Sequence, residues 1–143
     1  MSHKTDVQIR FNDVDILGHV NNAVYQYYFD LARVNYFTDV LGEHEADFHA
    51  EALIVASIKV DYIMPVFLKD KIYVTTKITT IGNKSLTMTQ EVFDEKKQLK
   101  ASSETRMVAY STKEQSTKSI PERWKISISN FEKDVTFKYL LGS

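Results

Sequence analysis

The sequence predicts an α+β fold, with one long helix packed on an antiparallel sheet. Three observations carry this. Residues 5–11 alternate apolar and polar, residues 22–41 switch to the helical period, and four further alternating segments follow with turn residues between them. A lone helix among runs of strands leaves no room for the repeated strand–helix units of a parallel sheet.

The elements follow in order. In residues 5–11, Val7, Ile9 and Phe11 share one face, and Asp6, Gln8 and Arg10 share the other. Asp, Asn and Gly then break the alternation over residues 12–18. In residues 22–41, Val24, Tyr28 and Leu31 recur at i, i+4 and i+7, and Tyr27 and Val34 widen the apolar stripe. Asn21 or Asn22 suits the N-cap and Gly42 suits the C′ position. At 1.5 Å per residue such a helix is roughly 30 Å long, enough to cross a small sheet. Asp30 and Arg33 are placed to pair across one turn, as an exposed pair of small value.

Residues 43–51 read as an acidic loop containing His44 and His49. Residues 52–64 form a long strand that Pro65 stops. Residues 70–81 follow with Ile72, Val74, Thr76 and Ile78 on one face, and Gly82-Asn83 marks a hairpin. Residues 84–94 direct Leu86, Met88 and Val92 inward, and residues 94–98 form a charged turn. The last long strand is 98–111, with Leu99, Ala101, Met107 and Ala109 together. Residues 112–119 are polar and are expected to be mobile, and Pro121 suits N1 of a short helix. From Trp124 to the end no clean period emerges. Residues 1–143 are therefore expected to be one domain, with an unassigned extension after about residue 125.

Composition narrows the function. A net charge of -1 gives no general attraction to nucleic acid or anionic membranes. The absence of cysteine removes disulfides, thiolate metal sites and a cysteine nucleophile. The first residues lack an apolar signal core, and no apolar run reaches the ~20 residues needed to span a bilayer. A cytoplasmic protein is expected, with no cofactor and no metal. His44 and His49 imitate a zinc motif, but five residues separate them and they cannot share a helical face.

The chemistry concentrates between Arg10 and Arg33. Asp13 and Asp15 stand just ahead of the helix, and either could stabilise the turn or serve as a nucleophile or base. Gly18, His19, Asn21 and Asn22 lead into the helix start, where free N–H groups and the dipole could hold a developing oxyanion. His19 reads more readily as a structural, hydrogen-bonded histidine. Tyr25, Tyr27, Tyr28, Tyr36 and Phe37 read as core or interface. No phosphate-binding glycine loop or nucleophile elbow is present.

The string Asp13-Val14-Asp15-Ile16-Leu17-Gly18-His19-Val20-Asn21-Asn22, followed by Tyr25, resembles the N-terminal signature of the 4-hydroxybenzoyl-CoA thioesterase-like family of hot-dog proteins. Val60-Asp61-Tyr62-Ile63-Met64-Pro65, Lys69-Asp70, Ile81 to Ser85 and Ile120-Pro121 extend the resemblance over roughly residues 5–125. It implies a hot-dog fold, an antiparallel five-stranded sheet wrapped around one long helix. It implies hydrolysis of an acyl-CoA thioester, with Asp15 as the catalytic carboxylate and the backbone N–H of Asn22 as an oxyanion donor. Some relatives carry a catalytic histidine where this chain has Asn22. Gly18, His19 and Tyr25 are expected against the substrate. The family's sites lie between two subunits of a homodimer or homotetramer, so Val60, Asp61 and Tyr62 of the partner subunit are expected to complete the pocket. Lys84 and Ser85 are expected to meet the CoA phosphates. An acyl-carrier-protein donor and a non-catalytic acyl-CoA or fatty-acid binding module are the alternatives.

Overall fold

A computed structural model describes residues 3–42 and 51–138. Among these, seven strands and two α-helices are found, in the order β1 (His3–Val7), α1 (Tyr25–Tyr36), β2 (Glu51–Tyr62), β3 (Ile72–Ile81), β4 (Ser85–Asp94), β5 (Leu99–Ser111), β6 (Ser116–Thr117), α2 (Glu122–Phe131) and β7 (Thr136–Phe137). The five long strands pair antiparallel in the order β1-β3-β4-β5-β2, which leaves β2 at an edge. The two-residue strands extend the sheet, β6 beside β5 and β7 parallel to β3. The expected loop with His44 and His49 lies outside the described residues, and Glu51 already begins β2.

The long helix spans the expected range in three geometries. A 3₁₀ turn, Asn22–Val24, leads into α1, and a π turn, Phe37–Leu41, follows. Gly42 ends it at φ 68°, a left-handed conformation that glycine adopts without a Cβ penalty. The apolar face is only in part the one expected, in Tyr28 and Val24. Tyr25, Tyr28, Phe29, Ala32 and Tyr36 face the sheet, and Tyr27, Leu31 and Val34 face outward. Both stripes are apolar at helical spacing. The stripe with Ala32 lets the helix backbone approach the sheet, where Gln90 Nε2 donates to the Phe29 carbonyl at 3.1 Å. The Asp30–Arg33 pair forms, but Arg33 is buried rather than exposed, and its Nη1 donates to Gln90 Oε1 at 3.1 Å.

The first strand is shorter than expected. Thr5 and Val7 point inward, and Phe11 is exposed at the start of a 3₁₀ turn, Phe11–Asp13. That turn forms because the Asp13 carboxylate accepts from the Arg10 N–H at 3.0 Å and draws the chain out of the extended form. The other strands behave as their patterns require. Ile72, Val74, Thr76 and Ile78 of β3 and Leu86, Met88 and Val92 of β4 are buried. The β3–β4 hairpin closes with Gly82 N–H donating to the Ser85 carbonyl at 2.7 Å.

Two apolar clusters fill the space under the helix. One gathers Tyr36, Phe37, Ile78, Leu86, Met107 and Trp124, and the other gathers Tyr25, Tyr28, Phe29, Val66, Val74 and Ala101. The C-terminal stretch belongs to the first. Trp124 and Ile128 of α2 are fully buried, and Glu132 accepts from the Tyr36 hydroxyl at 2.7 Å and from the Ile78 N–H at 2.9 Å. Pro121 sits just ahead of α2, one position before the expected N1. The polar segment before it is hydrogen-bonded to the sheet, with Lys118 N–H to the Ala109 carbonyl and Ile120 N–H to the Asn83 carbonyl. Trp124→Ala should therefore cost about 3–5 kcal/mol in urea unfolding, the range for deleting a large buried aromatic. A loss below about 1 kcal/mol would show that α2 is not part of the core.

Candidate active site

The two aspartates ahead of the helix are separated by the end of the 3₁₀ turn and do different things. Asp13 is 2% exposed. Its carboxylate accepts from the Arg10 N–H, from Arg10 Nη2 at 3.3 Å and from the Tyr28 hydroxyl at 2.7 Å. Its carbonyl accepts from the Asn21 N–H at 2.9 Å. Burial alone would raise the carboxyl pKa, but hydrogen bonds from Arg10 and Tyr28 and the Arg10 charge outweigh it and leave the value lowered. Asp13 is thus an ionised anchor that ties the junction to the helix.

Asp15 holds a loop of its own. Its Oδ1 accepts from the N–H groups of Leu17 at 2.9 Å and His19 at 3.2 Å. Backbone bonds from Asp15 N–H to the His19 carbonyl and from Gly18 N–H to the Asp15 carbonyl close the same loop. Gly18 supplies φ +79° there, with nothing within 4 Å of where a Cβ would stand, so backbone conformation rather than crowding selects glycine. The second carboxylate oxygen of Asp15, which is exposed, has no hydrogen bond among the described residues.

The helix start is prepared by Asn21. With φ -62° and ψ 136°, it caps the 3₁₀ turn, and its Oδ1 accepts from the Ala23 N–H at 3.0 Å. The Asn22 N–H is left without a partner among the described residues. The Asn22 carbonyl accepts from the Tyr62 hydroxyl at 3.0 Å.

A cleft of about 270 Å³ opens at this point. His19, Asn22, Tyr25 and Tyr62 line it, together with the run Ile63, Met64 and Pro65. The Tyr25 and Tyr62 rings meet edge to face, 5.1 Å between centroids. Burial pushes the Tyr25 hydroxyl up to about 12, so it stays protonated at neutral pH. The His19 ring packs edge-on against Phe67 at 5.0 Å and its backbone bridges to Phe67, but the ring has no hydrogen bond among the described residues, unlike the hydrogen-bonded histidine expected.

The other residues singled out from sequence lie elsewhere. Tyr62, expected from a partner subunit, lines the cleft of its own chain. Val60 packs against the apolar cluster beside Tyr25. Asp61 lines a polar groove with Lys59, Glu91 and Glu104, away from the cleft. Lys84 and Ser85 do not reach this cleft within one chain. Ser85 pairs with Val108 of β5, whereas Tyr62 pairs with Ala101, seven residues away along that strand and roughly 23 Å at strand rise. Ile63, Met64 and Pro65 were part of the family resemblance but were not expected at the site, because from residue type they mark only a strand end before proline.

The fold is that of hot-dog acyl-CoA thioesterases. A hypothetical protein from Staphylococcus aureus in complex with CoA superposes with a TM-score of 0.87, at 18% identity over 94% of this chain and 86% of that one. A thioesterase from Thermus thermophilus, complexed with coenzyme A and Zn, superposes with a TM-score of 0.80, at 31% identity over 91% and 93% of the two chains. The uncharacterized protein YsmA of Bacillus subtilis (strain 168) is 30% identical over 84 residues, 57% of this chain and about half, 54%, of that protein. The chain belongs to the Thioesterase-like superfamily, whose profile matches residues 9–127. Among the described residues, no three His, Cys, Asp or Glu side chains gather as a metal site requires, and no helix is long and apolar enough to cross a membrane.

The Asp13 anchor has a pH signature. A carboxyl whose folded pKa is lowered contributes stability that is present above its unfolded value and is lost as pH falls through the folded value. Near pH 7, Asp13→Asn should cost about 1–3 kcal/mol in denaturant unfolding. The difference from the parent chain should shrink below about pH 4, where the unfolded carboxyl begins to protonate. A difference independent of pH would mean that ionised Asp13 is not the anchor.

Proposed function

We propose that the chain hydrolyses acyl-CoA thioesters to the free acid and CoA. One observation carries the reading: Asn22, whose helix-start N–H is unpartnered among the described residues, lines a cleft together with His19, and the loop that His19 closes leaves one Asp15 carboxylate oxygen uncommitted, although Asp15 does not itself line the cleft. The thioesterase complexed with coenzyme A, at 31% identity, supports CoA as the thiol half of the substrate. In this reading the acyl carbonyl oxygen takes the Asn22 N–H, aided by the positive end of the helix dipole. Asp15 either takes a proton from a water whose oxygen adds to the carbonyl carbon, or adds to that carbon itself to give an anhydride that water then hydrolyses. On either route one water is consumed, its oxygen ending in the acid and its proton on the CoA sulfur. The carbon–sulfur bond then breaks, and CoA leaves as the thiol. Asn22 acts through its backbone, so an asparagine side chain suffices where some relatives use histidine.

The backbone donor can be removed cleanly. Asn22 is the first residue of the 3₁₀ turn, a position where proline is tolerated, and Asn21 already has the extended conformation that precedes proline. Asn22→Pro should keep the melting temperature and reduce kcat by about 10²–10³-fold, the loss typical of one oxyanion donor. Asp15→Asn keeps an acceptor for the loop N–H groups and should reduce CoA release by roughly 10²–10⁴-fold. Undiminished turnover in either variant would remove that group from the mechanism.

A homo-oligomer is part of the proposal. β2 is a 12-residue edge strand with Ile54 and Val55 exposed, and Ile16 and Leu17 beside Asp15 are also exposed. An open apolar edge of this length favours pairing with a second copy. Light scattering should give at least a dimer, and Ile54→Glu with Val55→Glu should shift it toward monomer. A fully active monomeric parent chain would contradict the arrangement.

A further inference from the structure

The cleft beside Asn22 is lined by no lysine or arginine. A CoA thioester carries its acyl group on an uncharged pantetheine arm, and its negative charge sits on phosphates at the far end. The cleft therefore suits the acyl end and offers the phosphates no cation. Lys69 and Lys71 follow the cleft-lining run 63–65 in the same chain, but they share a groove with Asp6 and Asp70, and the four charges cancel.

Two cations gather at the other end of β2. Glu51 accepts from Lys118 Nζ and pairs with Arg123 Nη2 at 2.8 Å. Lys118 follows β6, and Arg123 lies in the first turn of α2. The Lys118 hydrogen bond holds the Glu51 carboxyl below the usual carboxylate range against the effect of burial, and Arg123 adds to it. Glu51 is thus ionised, and the three side chains together carry one positive charge. The Arg123 side chain is 53% exposed, so its planar fork is open at the surface, in the form that recognises phosphate. Lys84 stands at the same end of the sheet, but across β5 from β2.

Within one chain these cations are far from the cleft. Glu51 pairs with Ser111 and Tyr62 with Ala101, ten residues apart on β5 and roughly 33 Å at strand rise. A second copy removes that distance. β2 is an edge strand, and two-fold antiparallel pairing sets its two ends against each other. The bulge between Val55 and Ser57 shifts the alternation, so Glu51 and Tyr62 both lie opposite inward residues of β5. Pairing centred on Ser57 covers the whole edge. It places Glu51 of the partner subunit directly opposite Tyr62, on the same face, as an antiparallel ladder requires. A slip of one residue would set these side chains on opposite faces. Tyr62 reaches the Asn22 carbonyl with its hydroxyl. The partner's cations then stand one strand spacing and two side-chain lengths from Asn22, roughly 15 Å, a span that an extended pantetheine arm covers.

We propose that the phosphates of CoA are held in trans, by Lys118 and Arg123 of the partner subunit, across a two-fold pairing of β2 with β2. Each cleft then takes its acyl group from one chain's helix start and anchors the nucleotide end on the other chain. This rests on the proposed thioesterase reading and its homo-oligomer.

The test compares the thioether analogues of hexanoyl-CoA and of hexanoyl-pantetheine, which has no phosphate, by calorimetric titration into the full chain, with turnover of the two thioesters. Lys118→Gln with Arg123→Gln should weaken binding of the CoA analogue tenfold or more and leave the pantetheine analogue unaffected, which also shows that the fold is intact. KM for hexanoyl-CoA should rise while kcat stays. The charge-keeping pair Lys118→Arg with Arg123→Lys should retain most of the CoA affinity. Refolding the Gln variant together with Asp15→Asn chains makes mixed dimers with one intact site each, so at limiting hexanoyl-CoA about a quarter of parental turnover should return. The chain has no cysteine, so Ser57→Cys with a short bismaleimide should give a covalent dimer and mark the axis. Unchanged CoA affinity, equal losses for both analogues, no recovery in mixed dimers, or a Ser57→Cys chain that does not cross-link would each overturn the inference. Hydrolysis by the parent chain with unchanged CoA affinity in the Gln variant would leave the thioesterase reading standing. CoA affinity that depends on the two cations, without hydrolysis by the parent chain, would overturn that reading and support this one.

Discussion

The junction between the first strand and the long helix depends on one buried carboxylate. Asp13 takes hydrogen bonds from the Arg10 backbone and guanidinium and from the Tyr28 hydroxyl, one helical turn inside α1. Its carbonyl takes the Asn21 N–H. The same residue therefore ends the strand, seats the helix and holds its cap. Charged hydrogen bonds in a buried setting are among the stronger ones available, and a carboxylate can accept several at once. It works beside other ties that place the Asp15 loop and the helix start, the Val20 N–H donating to the Val66 carbonyl at 2.7 Å and the Tyr62 hydroxyl donating to the Asn22 carbonyl at 3.0 Å.

The cleft follows from that placement. Asn21 caps Ala23, Tyr62 engages the Asn22 carbonyl from the end of β2, and the Asn22 N–H remains open. The 3₁₀ first turn and the tyrosine at the strand end orient the peptide groups that the proposed chemistry uses. Asp15 is closed on its own loop through one oxygen, and its other oxygen has no hydrogen bond among the described residues. The site is thus made of backbone geometry more than of reactive side chains, which suits a reaction needing one carboxylate and one oxyanion donor.

Much of this was legible in the sequence where a pattern has only one physical solution. The alternation of β3 and β4, the Gly82 hairpin and the left-handed Gly42 stop each follow from local rules. Where two solutions were available the sequence did not choose. The helix is aromatic on two sides, and close approach at Ala32 decided in favour of Tyr25, Phe29 and Tyr36 over Tyr27, Leu31 and Val34. Arg33 read as a surface charge because its partner Gln90 is 57 residues away. Phe11 left the strand because of Asp13, whose decisive contact with Tyr28 spans 15 residues. The tail had no period because α2 is short and buries Trp124 and Ile128 while exposing Ile126. Of the candidate site, residue types alone did not distinguish the buried anchor Asp13 from the exposed Asp15, and only the family resemblance singled out Asp15, Asn22 and Tyr25.

The central claim is that the Asn22 N–H receives the acyl oxygen. A crystal structure of the chain with a CoA thioether bearing a ketone in place of the scissile carbonyl tests it most directly. The account predicts the ketone oxygen about 2.7–3.1 Å from the Asn22 nitrogen, the distance expected of an oxyanion donor. A ketone oxygen bound elsewhere, with the Asn22 N–H still facing solvent, would contradict it.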